Sequence, residues 1–278
     1  MSTPATPTYR SVELHRDGPV AEVVLTGPGK GNAQGPDFWR EVPELFAALD
    51  ADDSVRAVIL RGSGANFCYG LDLMGMAEDF GTLILGNPGA AVRTKLLALI
   101  GRMQHAVSSL ESCRKPVIGA IHGWCIGGGL DLATACDLRV CSAEARFSVR
   151  EVKLAIVADV GSLQRLPGII GEGQTRQLAF TGEDIDAARA LKIGLVNDVL
   201  ESPDALLAHA RALAAKMAAN PPVVLQGVKQ VLNDCRGRPV EEGLRRVALW
   251  NSAFLPSDDL AEALASFAER RPPQYRGA

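Results

Sequence analysis

Two apolar rhythms take turns along the chain as far as about residue 200. Residues 11–26 (SVELHRDGPVAEVVLT) hold two β-rich pieces on either side of Asp17-Gly18, a dipeptide that favours a tight hairpin turn. GPGKGNAQG follows as a loop. Pro36 and Asp37 then open a helix, the proline at a first-turn position and the acid near the positive end. Phe38, Trp39, Val42, Leu45, Phe46 and Leu49 recur at helical spacing behind them. Residues 56–61, RAVILR, form a short strand apolar enough to be buried on both faces. Residues 62–76, GSGANFCYGLDLMGM, are a glycine-punctuated strand end running into a loop, a usual place for ligand contacts in an open α/β sheet. Residues 77–90 read as a flexible loop. Val92, Leu96, Leu97, Ile100, Met103, Val107 and Leu110 mark a long amphipathic helix from Ala91 to Leu110. Lys115-Pro116 ends it, and PVIGAIHG is the next buried strand.

The alternation continues with DLRVCS as a strand, GEGQTRQLAFTG as a helix, and DAARALKIGLVNDVL as a helix followed by a short strand. From Pro203 onward the pattern is helical only. One helix covers DALLAHARALAAKMAAN, Pro221-Pro222 starts another, and Ser257 with Asp258 and Asp259 caps the last. The expected layout is therefore a disordered lead over residues 1–10, an α/β core over 11–200 and a helical C-terminal subdomain over 201–278. No internal repeat of solenoid length is visible.

Composition narrows the chemistry. With 278 residues the chain can bury a sizeable core, and its net charge of -3 argues against a nucleic-acid surface. No apolar run reaches the roughly 18 residues that span a bilayer, and MSTPATPTYR lacks the apolar centre of a signal peptide. The six cysteines, Cys68, Cys113, Cys125, Cys136, Cys141 and Cys235, form no C-x-x-C pair. They read as buried free thiols of a cytoplasmic protein rather than as a disulfide framework or zinc site. His15, His105, His122 and His209 are too scattered for a metal cluster.

The stretch that organises the rest is HGWCIGGGLDLATACDLRVC, from His122 to Cys141. Gly127, Gly128 and Gly129 leave backbone N–H groups uncovered by any Cβ, so a ligand can approach them closely. If a helix begins there, the same N–H groups are the unpaired donors of its first turn, suited to a carbonyl oxygen that becomes negative during a reaction. Asp131 follows one turn on, and Glu151 and Asp159 lie beyond. Each has a plainer reading: close strand–helix packing for the glycines, a dipole-complementing acid for Asp131, a surface acid for Glu151 and a turn cap for Asp159. Asp159 sits in an apolar context, IVADVG, where an acid is costly to bury unless paired or used. There is no G-x-S-x-G elbow, phosphate loop or dinucleotide fingerprint.

FCYGLDL (Phe67–Leu73), HGWCIGGGLDLATACDLR (His122–Arg139) and EVKLAIVADVGSLQRLP (Glu151–Pro167) together resemble the crotonase superfamily of enoyl-CoA hydratases and isomerases. The resemblance runs from about Ser11 to Arg271. Within the superfamily the chain looks most like the Δ3,5-Δ2,4-dienoyl-CoA isomerases, which carry acids matching Asp131, Glu151 and Asp159. A typical hydratase has glutamates at the first two positions and glycine at the third. The resemblance implies a spiral of ββα units, trimers or dimers of trimers assembled through the C-terminal subdomain, and acyl-CoA thioester substrates of fatty-acid β-oxidation. It implies an oxyanion hole made by the N–H groups of Leu71 and Gly128. It further implies substrate contacts at Phe67, Tyr69, Gly70 and Gly127, and a basic residue, Arg270, near the CoA phosphates. No cofactor is called for, since coenzyme A belongs to the substrate.

A proton beside a thioester is too weakly acidic to leave unaided, and removing it builds charge on the thioester oxygen. One carboxylate must take that proton and another acid must return one further along, which needs carboxyls of different pKa. Glu151 is expected near C2 and Asp159 near C6, with Asp131 holding or polarising one of them; the reversed assignment stays open. Two alternatives also stand: an enoyl-CoA hydratase holding water between Asp131 and Glu151, and a non-catalytic acyl-CoA-binding protein of the same fold.

Overall fold

A computed structural model describes residues 8–84 and 89–278. Strands β1 (Val12–Asp17) and β2 (Val20–Leu25) form the expected antiparallel hairpin. Gly18 takes the positive φ of +54° that its turn requires. Helix α1 (Pro36–Ala51) starts at the proline and buries all six residues that carried its period. Its Glu41 carboxylate accepts the backbone N–H of Arg10 at 3.0–3.1 Å and that of Ser11 at 2.9 Å, and Tyr9 packs against the core. The expected disordered lead is thus tied down from Tyr9; residues 1–7 lie outside the described residues.

Strand β3 (Ala57–Gly62) pairs parallel with β2. The flexible loop expected after it is a helix in part: α2 covers Ala77–Ile84, residues 85–88 lie outside the described residues, and α3 spans Ala90–Ser112. The spacing missed α2 because its eight residues carry too few turns to establish a period. Then come β4 (Val117–Ile121), β5 (Trp124–Ile126), α4 (Gly128–Ala135), β6 (Leu138–Ser142) and β7 (Arg146–Ser148). After them follow α5 (Ser162–Ile170), α6 (Glu172–Thr181), β8 (Ile185–Asp186), α7 (Ala187–Lys192) and β9 (Asp198–Leu200).

The main sheet has the order β1-β2-β3-β4-β6-β9, parallel from β2 onward, and β5-β7-β8 form a second, smaller sheet. β2, β3, β4 and β6 are each followed by a short extended piece in the second layer and then by a helix. Gln34 and Cys68 join that layer through single bridges, Gln34 to Leu71 and Cys68 to Cys125. The result is the anticipated spiral of ββα units, built without any sequence repeat.

Side-chain alternation divides the core. In β3, Val58 and Leu60 face the larger cluster beneath α1 and α3, whereas Ala57 and Ile59 face the opposite side. That opposite side is covered by α8 (Pro203–Ala218), whose Leu206, Ala210, Ala214 and Ala218 recur every four residues and are buried. Helix α8 is thus a layer against the sheet, its small-residue stripe letting it lie flat there. The helices beyond it, α9 (Pro222–Asp234), α10 (Val240–Phe254) and α11 (Asp258–Glu269), form the outlying part.

Candidate active site

Two loops meet at the ends of β3 and β5. Past β3, the backbone N–H groups of Phe67 and Cys68 donate to the His122 and Trp124 carbonyls at 2.8 and 3.0 Å, which seats the segment on β5. Further on, Gly70 O accepts from Gln34 N–H at 2.8 Å, and Asp72 N–H donates to Gln34 O at 3.1 Å. A parallel bridge uses alternate peptide groups, so the Leu71 N–H between them faces away from Gln34. It has no acceptor among the described residues. On the other loop, Gly127 has φ +54° and its carbonyl accepts the N–H groups of Leu130 and Asp131 at 2.8 and 3.1 Å. Gly128 then opens α4, and its N–H is one of the free first-turn donors.

Gly70 allows the two loops to touch. Its φ is +82°, and a Cβ there would lie 2.7 Å from Gly128 N and 2.9 Å from Ile126 O. The loops that carry the free N–H groups of Leu71 and Gly128 are thereby in direct contact.

Three carboxyls gather near the Gly127 loop, each within electrostatic reach of the next. Asp131, in the first turn of α4, is fully buried; its Oδ1 accepts the N–H of Ser162, the first residue of α5, and its Oδ2 has no partner. Glu151 opens a short 3-10 turn after β7, and its Oε1 lies 3.5 Å from where a Gly127 Cβ would be. Its Oε2 is buried and unpaired. Burial, and then the charge of Glu151, raise the Asp131 carboxyl to about 7. Burial and the charge of Asp159 raise Glu151, while a side-chain hydrogen bond with Asp131 works the other way. Burial together with the neighbouring negative charge disfavours ionising both carboxyls at once. Asp159, half-buried, is raised by burial, and its carbonyl accepts the Gln104 side chain of α3 at 2.7 Å.

The structure thus brings together Asp131, Glu151, Asp159, Leu71, Gly128, Gly70 and Gly127. Two other expected substrate contacts sit apart from this group. The Phe67 side chain is fully buried in the core and supports its loop from beneath, because the backbone pairing that seats the segment turns it inward. Arg270 is exposed at the C-terminal end of α11 and makes no ion pair or hydrogen bond to the site among the described residues. The tail beyond it is held by Arg56, which donates to Tyr275 O at 2.7 Å at the start of β3, the strand end opposite the oxyanion donors. Tyr69 is 42% exposed beside Gly31, open to a ligand as well as to solvent. His122 is a buried structural histidine, its Nε2 3.0 Å from Gly64 O, and Asp72 holds its own loop through Gly75 N–H at 2.9 Å. Among the described residues no group of His, Cys, Asp or Glu could hold a metal ion. The apolar groove between α9, α10 and α11, lined by Val228, Trp250, Phe254 and Leu260, lies apart from the carboxyls.

Three residues at the site carried no sequence signal: Gln34, Gln104 and Ser162. Only their distant partners mark them.

A family model described as enoyl-CoA hydratase/isomerase matches residues 15–278. A mitochondrial Delta(3,5)-Delta(2,4)-dienoyl-CoA isomerase of Dictyostelium discoideum is 43% identical over 96% of this chain and 91% of its own. A peroxisomal protein of the same name from Arabidopsis thaliana is 41% identical over 96% and 98%. An (E)-benzylidenesuccinyl-CoA hydratase of Thauera aromatica is 34% identical over 96% and 99%. Among solved structures, an enoyl-CoA hydratase from Bacillus anthracis superposes with a TM-score of 0.87 at 28% identity, covering 97% of this chain and all of the other.

Proposed function

The chain belongs to the enoyl-CoA hydratase/isomerase family, and from that premise we propose that it converts 3,5-dienoyl-CoA into 2,4-dienoyl-CoA. The observation that carries this reading is the third carboxyl: Asp159 stands close enough to Glu151 for its charge to raise it. A hydratase needs two acids around one water; a proton moved from C2 to C6 needs acids at two separated carbons.

In this reading the thioester oxygen lies between the N–H groups of Leu71 and Gly128. Glu151 takes the proton from C2, and the charge spreads over the dienolate and onto oxygen, where each aimed donor lowers the barrier by roughly 3–4 kcal/mol. Asp159 returns a proton at C6, which leaves the double bonds between C2 and C3 and between C4 and C5. Asp131 is too buried to touch a substrate and acts through Glu151, sharing a proton with it. Burial is what brings these carboxyls toward neutral pKa, where a group both takes and gives protons efficiently. Proton transfer of this kind needs no cofactor beyond the coenzyme A of the substrate.

The assembly we favour is a trimer or a dimer of trimers, supported by exposed apolar side chains on the outlying helices, among them Leu232, Leu249 and Phe267. All six cysteines are free, which supports a reducing compartment such as the cytoplasm. The deciding experiment follows ultraviolet absorbance with 3,5-dienoyl-CoA and, separately, with crotonyl-CoA. Growth of a longer-wavelength band on the first, with little change on the second, is expected. Loss of absorbance on crotonyl-CoA without the first signal would make the protein a hydratase, and silence on both would leave an acyl-CoA-binding protein.

A further inference from the structure

The two oxyanion donors come from loops far apart in sequence, and one residue is bonded to both loops. Gln34 is fully buried. Its backbone makes the two hydrogen bonds that flank Leu71, accepting from Asp72 N–H at 3.1 Å and donating to Gly70 O at 2.8 Å. Its side-chain Nε2 donates to Gly128 O at 2.9 Å. The contact is close from the other side too, since a Cβ on Gly128 would lie 2.1 Å from Gln34 Oε1. Leu71 and Gly128 are thus both fastened to one residue, the first by its main chain and the second by its amide.

The amide is an expensive choice for fold stability alone. Gln34 Oε1 is buried and has no partner. Burying a carbonyl oxygen without a donor is unfavourable, so an apolar side chain of similar volume would suit the core better. The Gly128 carbonyl, at the head of α4, would keep its place in the helix without Gln34. What the fold would lose is the fixed distance between the two N–H groups. An oxyanion hole depends on that distance, because its donors must be aimed at where the charge develops and not relax during the reaction.

We propose that Gln34 is a positioning residue for the oxyanion hole: its amide spans from the Leu71 loop to the head of α4 and sets the gap between the two donors. The proposal rests on the oxyanion assignment above, and the test separates the two. Gln34→Met keeps the side-chain length and removes the amide. Three quantities are measured on both proteins: kcat and KM with 3,5-dienoyl-CoA, the thermal midpoint, and the infrared stretch of a 13C-labelled thioester carbonyl in bound 2,4-dienoyl-CoA. Wild-type protein is expected to lower that stretch relative to free ligand. In the variant the lowering is expected to shrink and kcat to fall by about 10-fold or more, with KM within about twofold and an unchanged or higher thermal midpoint. An unaltered carbonyl shift with wild-type kcat overturns the role of Gln34 and leaves the oxyanion hole standing. A fall in kcat matched by a lower thermal midpoint overturns it in favour of a structural role. A change in KM alone overturns it as well. If wild-type protein itself does not shift the carbonyl, the oxyanion assignment fails, and the proposal with it.

Discussion

Asp131→Asn exchanges one buried oxygen for an NH2 group and separates what the acid pair costs the fold from what it does chemically. In the native protein the Asp131 carboxyl titrates at about 7; released into the unfolded chain it returns to 3.8. Between those pH values the folded state holds a proton that the unfolded state has given up. Stability therefore falls as pH rises through this window, and the loss is complete above the folded value. At about 1.4 kcal/mol per pH unit, ionised Asp131 disfavours the native state by about 4 kcal/mol above pH 7. Asparagine never ionises. Its carbonyl still accepts the Ser162 N–H, and its NH2 group can donate to Glu151 where the shared proton stood. The stability advantage of the variant should therefore grow by about 2–3 kcal/mol between pH 5 and pH 8. Urea unfolding followed by tryptophan fluorescence measures this, at one fixed protein concentration so that any subunit association enters both proteins equally. Turnover of 3,5-dienoyl-CoA should meanwhile drop by about 10-fold or more, because Glu151 loses the partner with which it exchanges a proton. A stability difference that stays the same at both pH values would refute the reasoning, since it would mean that Asp131 carries no displaced titration.

Asp159→Asn should lower kcat on 3,5-dienoyl-CoA by at least about 100-fold. It should also move the acid limb of the kcat/KM profile to lower pH, because the charge that raises Glu151 is gone; a wild-type profile would remove Asp159 from the chemistry. Gly70→Ala puts a methyl group 2.7 Å from Gly128 N and should cost about 100-fold or more in kcat by spreading the donors. Alanine at Gly18, whose φ is also positive but whose Cβ would meet open space, should cost some stability and leave turnover intact. Lys229→Met removes a buried ammonium that lies 2.7 Å from Asp137 and donates to the Leu110 and Lys115 carbonyls. It should destabilise the protein by about 3–5 kcal/mol in chemical denaturation, since Asp137 is left without its counter-charge.

How much of this was legible in the sequence follows from the range over which each feature is determined. The hairpin, α1 and β3 depend on local rhythm and punctuation, and their residues say so: Pro36 sits at the first turn of α1, and Phe38 through Leu49 face inward. The short α2 has no such rhythm, and α8 has a clear helical one that says nothing about which surface it covers. The division of β3 between two clusters, Val58 and Leu60 one way and Ala57 and Ile59 the other, explains why that strand reads as uniformly apolar. The glycine-rich loop and the acids of the site were visible as residue types, and the resemblance gave them an order.

What the sequence could not display is support across distance. The Ser162 N–H that holds Asp131 comes from 31 residues away, the Gln104 amide on Asp159 from 55, and the Gln34 amide on Gly128 from 94. No local spacing relates such pairs. The same limit explains Phe67 and Arg270. A motif position fixes where a residue falls in the chain, whereas the pairing of Cys68 with Cys125 turns Phe67 toward the core, and the Arg56 contact holds the tail that follows Arg270 at the far end of β3. Reactive groups leave their identity in the sequence. The residues that aim them leave only ordinary glutamines and serines, and their part in the chemistry has to be read from the bonds they make.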